Sequence, residues 1–222
     1  MPTASKASRG PAPVRRRRQN GEESRLRILE ATFELAHELG YQGTSISKVV
    51  ERSGLPASSV YWHFADKDAL FAAMIEHSFR QWGAALPKWT PPPPGASRRD
   101  ALRIRIRSAF ATIASNPAFW RLGLLLSLHR QPVEPQARAL FRRIRQRVIA
   151  NMVAFWREAL PAERQRRAPD LAELLARLTM ATADGLFVSA QIDRDWDYPR
   201  FADLLAHVLE SAATSFNEGG KP

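Results

Sequence analysis

Apolar residues recur at helical spacing along most of this chain, and the interruptions mark where helices end. Ile28, Leu29, Thr32, Leu35, Ala36 and Leu39 form one stripe, which predicts a first helix over about Glu23 to Leu39 with Gly40 as its stop. Ile46, Val49 and Val50 predict a short second helix from Ser45 to Arg52, capped by the hydroxyl of Thr44 or Ser45. Ser53-Gly54-Leu55-Pro56 breaks it, because glycine supplies a left-handed residue and proline cannot continue a helix. A third helix, about Ala57 to Phe64, buries Val60 and Phe64. A fourth runs from near Asp66 to Trp82 on Leu70, Phe71, Met74, Ile75 and Phe79.

The helical period is then interrupted from Leu86 to Gly95, where four consecutive prolines predict an extended, semi-rigid linker. Beyond it, Leu102, Ile106, Ala109, Phe110 and Ile113 share a stripe. The alternation Arg103-Ile104-Arg105-Ile106-Arg107 imitates a strand but is shorter than that helical pattern. Asn116-Pro117 opens a helix through Trp120, Leu124 and Leu128. Pro132 and Pro135 lead into the longest predicted helix, Gln136 to Leu160, with Arg138, Arg142 and Arg145 expected to face water. A charged loop follows from Pro161 to Pro169. The last two helices are Asp170 to Ile192 and Pro199 to about Phe216, and both are apolar on more than one face, which is more than a lone subunit needs. Around Gly185 the small residues Ala181-Thr182-Ala183 would permit close helix approach, either to a second copy or within the fold.

The third helix carries the candidate chemistry. With Val60 and Phe64 turned inward, Ser58, Ser59, Tyr61, Trp62 and His63 are left to look outward. Such a dense polar and aromatic face suits a DNA groove, since small hydroxyls allow close approach while Tyr and His reach phosphates. The two short helices and their tight turn form a helix-turn-helix pattern.

Several blocks in order resemble the TetR family of bacterial transcriptional regulators. They are Leu26 to Ala31, Glu38-Leu39-Gly40-Tyr41, Thr44-Ser45-Ile46, Ser53-Gly54-Leu55, Val60-Tyr61-Trp62-His63-Phe64 and Lys67-Asp68-Ala69-Leu70. The resemblance spans roughly residues 24 to 71; Lys48 departs from it, and Ala57-Ser58-Ser59 occupies the stretch that varies with the operator. It implies an all-α fold of about nine helices: an N-terminal three-helix helix-turn-helix domain (22–70), then a helical effector-binding and dimerisation domain (71–217). Residues 1–21 are read as a disordered basic arm. The resemblance further implies a regulator, acting as a repressor, that binds a palindromic operator as a homodimer and is released by a small-molecule effector. Arg25, Thr44, Lys48, Tyr61, His63 and Lys67 would hold phosphates. Ser58, Ser59 and Trp62 would face base edges, although Trp62 also suits a partly buried anchor. Phe110, Trp120, Leu124 and Phe141, with Phe155, Trp156 and Phe187, are candidates for the effector pocket. An apolar or aromatic ligand fits those walls, whereas a buried Arg or His129 would favour an anion.

Charge refines this picture. The net +11 is uneven: residues 1–21 carry +6, with Arg15 to Arg18 in a row, 22–80 carry −3, and 81–222 carry +8. The DNA-reading stretch must therefore place Arg25, Arg27, Lys48, Arg52 and Lys67 on one side, away from Glu30, Glu34, Glu38 and Glu76. The arginine run reads either as a solvated tail or as an arm reaching a minor groove. The absence of cysteine excludes disulfides and thiolate metal sites, and no apolar run is long enough for a membrane span or secretion signal, so a cytoplasmic location is expected. Glu34-Leu35-Ala36-His37 matches one half of a di-iron pattern, but the chemistry needs a second copy. The five histidines form no metal-binding pair and no nucleophile set stands out, so neither an enzyme nor a cofactor is expected. The alternative to a ligand-controlled regulator is an architectural DNA-binding protein without an effector.

Overall fold

The computed structural model describes residues 13–85, 95, 97–115, 117–128, 135–193 and 195–215, with the backbone alone at 13–18 and 85. Ten helices occur among them. They are α1 (Pro13–Gly43), α2 (Ile46–Ser53), α3 (Ala57–His63), α4 (Lys67–Ala85), α5 (Arg98–Ser115), α6 (Ala118–Leu128), α7 (Gln136–Ala159), α8 (Ala162–Arg167), α9 (Leu171–Ile192) and α10 (Tyr198–Ser215). No strand occurs among the described residues. The chain divides into two compact units, Met1–Met74 and Ile75–Pro222, so α4 contributes to both.

In the first unit, α1, α2 and α3 pack around Ile28, Leu29, Leu35, Val49, Val60 and Phe64, each at most 4% exposed. Gly40, at φ 68°, breaks the regular helix of α1 where its stop was expected, and a last turn continues to Gly43. The helix begins ten residues earlier than the sequence pattern suggested, at Pro13 rather than Glu23. Residues 13–21, read above as part of a disordered arm, are thus helical, while 1–12 lie outside the described residues. The same extension makes α1, at 31 residues, longer than α7 at 24.

The second unit pairs α5 with α10 and α7 with α9. Arg98 grips Glu210 through two hydrogen bonds of 2.8 Å and donates a third to the Ala159 carbonyl, joining α5, α10 and the end of α7. Arg107 clasps Asp203 nine residues further along α5. Across α7 and α9, Arg145 holds Asp184 at 2.7 and 2.5 Å, with its guanidinium also over the Trp120 and Phe141 rings. Arg145 therefore ties helices together rather than facing water as its spacing suggested. The segment Pro161 to Pro169 was read as loop but contains α8, which adds the tenth helix. The proline linker (86–94), Asn116, His129 and Phe216 fall outside the described residues.

Gly123 sets the approach of α6 to α7. A Cβ at that position would stand 2.0 Å from the Phe141 ring, so no larger residue fits without displacing it. Phe141 in turn packs on Phe119, which stacks on Trp82 at 5.2 Å; Trp120 lies 4.9 Å from the same indole.

Candidate nucleic-acid interface and ligand cavity

The turn between α2 and α3 is fixed by its own polar groups. Ser45 caps α2 by accepting from the Lys48 amide, which settles the cap in favour of Ser45 over Thr44. Gly54, at φ 65°, occupies the left-handed C-cap and donates to the Val50 carbonyl at 3.0 Å. The Leu55 amide donates to the Ser53 hydroxyl, and Arg27 donates to the Ser53 carbonyl at 2.7 Å. Arg27 is therefore committed to holding the turn.

α3 has only seven residues, too few to be stable in isolation, and it depends on Val60 and the following Phe64 for its seat. Those anchors leave the opposite face open. Tyr61 is 57% and Trp62 75% exposed; Ser58 is exposed, and Ser59 and His63 are half-buried. Trp62 also lies beside α1, since a Cβ on Gly21 would meet its ring at 3.7 Å. Its indole thus leans on the first helix while most of its surface stays open, combining features of both readings given above. Trp62 and His63 meet edge to face at 4.5 Å. Burial, and then the charge of Arg25, holds the His63 ring below its usual pKa of 6.5.

The cations flanking this face are pre-positioned by their neighbours. Arg25 stands 5.6 Å over the Phe64 ring. Lys67 stands 4.3 Å over Tyr41 and donates to the Gln42 carbonyl. Lys48 donates to the Gly43 carbonyl at 2.9 Å and remains exposed. Besides Arg27, two expected contributors are spent elsewhere. Thr44 is 1% exposed and its hydroxyl donates to the Gly40 carbonyl, so it closes the end of α1 and has no surface to offer a phosphate. Arg52 forks onto Glu38 and also reaches Glu34, stapling α2 to α1 with the acids that sequence reasoning had set on the opposite side.

The second unit holds a partly open cavity of about 30 Å³ between α4, α5, α6, α7 and α9. Of the residues proposed for an effector pocket, Phe110 and Trp120 line it. Leu124, Phe141, Phe155, Trp156 and Phe187 do not. Phe141 is taken up under Gly123, and Phe155 packs edge-on against Trp156 in the core. The wall is completed by residues that sequence reasoning missed, among them Trp82, Ile106, Val148, Met152, Thr179 and Met180. Helical spacing places aromatic residues in the packed interior as readily as on a cavity. Trp82, in the last turns of α4, was the findable one. Its indole nitrogen and that of Trp120 are buried without an acceptor among the described residues.

A short helix, a tight turn and a second short helix presenting an open polar face constitute a helix-turn-helix, which makes the first unit a DNA-binding unit. The profile of the bacterial regulatory proteins of the tetR family matches residues 28–74. The chain is 32% identical to the HTH-type transcriptional regulator BetI of Burkholderia thailandensis over 173 residues, covering 73% of this chain and 84% of that protein. It is 30% identical to the HTH-type transcriptional repressor Rv1353c of Mycobacterium tuberculosis over 139 residues, 63% of this chain; there it spans only half of the relative's length. A TetR-like transcriptional regulator from Rhodococcus sp. RHA1 shares the fold with a TM-score of 0.65 at 18% identity, over 94% of this chain and all of that one. The chain belongs to the TetR family of bacterial regulatory proteins. No described helix is long and apolar enough to cross a membrane, and no cluster of metal-binding side chains occurs among the described residues.

Proposed function

We infer that the chain acts in the cytoplasm as a homodimeric repressor that reads a palindromic operator and lets go when a small molecule enters the second unit. The observation that carries this reading is the open face of α3, where Tyr61 and Trp62 stay exposed although their helix is anchored by buried Val60 and Phe64. Arg25, Lys48, Tyr61, His63 and Lys67 serve the phosphates, and Ser58, Ser59 and Trp62 meet base edges.

Dimerisation through α9 and α10 is supported by what those helices leave uncovered. Leu174, Leu178, Val188 and Ile192 on α9, with Leu204 and Val208 on α10, are all more than 40% exposed. Gly185 has nothing within 4 Å of where its Cβ would be, so its small size serves no internal contact. A two-fold seam uses both features and sets two copies of α3 on one operator. The repressor direction is supported by the name of the mycobacterial relative. Control by a ligand is supported by the apolar cavity and by α4, one helix that carries Leu70 and Phe71 into the first core and Trp82 to the cavity wall.

Selection of a binding site from random duplexes, followed by footprinting, tests the reading. A short two-fold symmetric protected site is expected, and broad coating of DNA would favour an architectural protein instead. On that site Tyr61→Ala should weaken cognate and random DNA alike by about 1 kcal/mol, the contribution of one hydrogen bond. Ser59→Ala should change base preference. Equal losses on both DNAs for the Ser59 variant would remove it from base reading.

A further inference from the structure

We propose that the ligand of the second unit is a neutral, mostly apolar molecule bearing a hydrogen-bond acceptor such as a ketone, ester or ring nitrogen, recognised by the indole N–H groups of Trp82 and Trp120. This deepens, and rests on, the reading of that unit as an effector domain.

Trp82 and Trp120 are 2% and 3% exposed, their rings lie 4.9 Å apart, and both line the same cavity. Neither indole nitrogen finds an acceptor among the described residues, a state shared by Trp156 and Trp196, which do not line the cavity. An indole is a donor only, so a partner for it must bring a lone pair. Buried donors are nearly always satisfied in folded proteins; what sets this pair apart from Trp156 and Trp196 is that both of their rings border one cavity, where an admitted ligand would bring the missing acceptor. A carbonyl oxygen, with two lone pairs, can accept from one or both.

The rest of the wall restricts charge. It is built from aliphatic, aromatic and methionine side chains, and its one hydroxyl, on Thr179, already donates to the Leu175 carbonyl at 2.8 Å. The cation nearest by contact, Arg145 over the Trp120 ring, is neutralised by two hydrogen bonds to Asp184. A carboxylate entering here would lose its hydration without gaining an ion partner, which is far costlier than bringing in a neutral acceptor. A second ligand donor would also go unmet.

Size adds a conformational requirement. A cavity of about 30 Å³ holds roughly two waters, whereas a benzene-sized guest needs on the order of 150 Å³. The walls must part to admit a ligand. Met152 and Met180 can yield by changing rotamer, and Trp82, on α4, moves with the helix that also serves the first unit.

The test uses the full chain and three probes: acetophenone, its near-isostere α-methylstyrene, which lacks the acceptor, and benzoate. Binding is measured by titration, and the six indole N–H signals of ¹⁵N-labelled protein report hydrogen bonding. Acetophenone is expected to bind about tenfold tighter than α-methylstyrene, one hydrogen bond's difference, and benzoate weakest. One or two indole signals should move downfield with acetophenone alone. Trp120→Phe and Trp82→Phe keep a ring in place, and at least one should bring the two affinities together. Equal affinities in the unmutated protein, or a preference for benzoate, overturn the inference while leaving a ligand-binding unit intact. Failure of all three probes to bind overturns it as well. DNA release is scored separately: acetophenone that binds through the indoles without weakening operator binding sustains the inference and defeats the release mechanism.

Discussion

Replacing Leu204 with glutamate is the sharpest test of pairing through α9 and α10. Leu204 is 55% exposed, amid Leu174 at 44%, Leu178 at 43%, Val188 at 46%, Ile192 at 75% and Val208 at 43%. Full burial of a side chain of this size contributes about 1.5–3 kcal/mol, so covering the exposed half contributes about 1 kcal/mol. Two-fold symmetry counts each residue twice, giving on the order of 10 kcal/mol before the costs of association. Leu204→Glu removes about 2 kcal/mol of that burial across both copies and sets two carboxylates in an apolar seam, for a total loss of about 5 kcal/mol or more. That corresponds to a dimer weakened roughly 10³- to 10⁴-fold. Sedimentation equilibrium over a dilution series should find the unmutated chain dimeric and the variant monomeric at about 1 µM, with helical circular dichroism retained in both. Leu128→Glu, at an 81% exposed site on α6, is the control and should leave pairing unchanged. A folded Leu204→Glu protein that stays dimeric through the whole series refutes the interface.

Two further outcomes are expected. Gly123→Ala puts a methyl 2.0 Å from the Phe141 ring, which is itself only 2% exposed, so it should cost about 1–3 kcal/mol and lower the melting temperature by roughly 2–10 °C; an unchanged melt would show that α6 can back away. Because burial and then Arg25 hold the His63 pKa below 6.5, the free protein favours the neutral ring and loses some stability as pH falls below that value. An approaching phosphate favours the cation instead, so operator affinity should rise as pH drops from about 7.5 to about 5.5 at fixed salt, and His63→Gln should flatten that slope. Identical slopes in both proteins would take His63 out of the contact.

The helices themselves were legible because each carries a stripe at the helical period, and the turn at Gly54 was legible because left-handed backbone leaves few residue choices. What periodicity could not convey is which polar partner each charge finds. Arg52 and Arg27 stand among the basic residues of a DNA-binding unit, yet one forks onto Glu34 and Glu38 and the other ties down the Ser53 carbonyl. Those pairings join residues far apart in sequence. Thr44 illustrates the same point, since a threonine before a helix suits a cap or a phosphate contact, and only its burial decides that it does neither. The extension of α1 to Pro13 was hidden by composition, because a stretch without apolar periodicity gives no helical signal of its own. The cavity was hidden for a different reason: its wall is set by how five helices meet.

The way α3 is seated explains how one scaffold can serve different operators. The helix is anchored by buried Val60 and by Phe64 after it, with the turn before it held by Arg27, Ser53 and Gly54. Ser58 and Tyr61 are exposed and add little to that attachment, so substitutions there change what the helix meets without loosening it. Trp62 is the exception. Its ring lies along α1 at Gly21, so a change at Trp62 touches both the exposed surface and the seat of the helix. Variation at Ser58 and Tyr61 should therefore be nearly free in stability, whereas variation at Trp62 should couple base preference to the placement of α3 against α1.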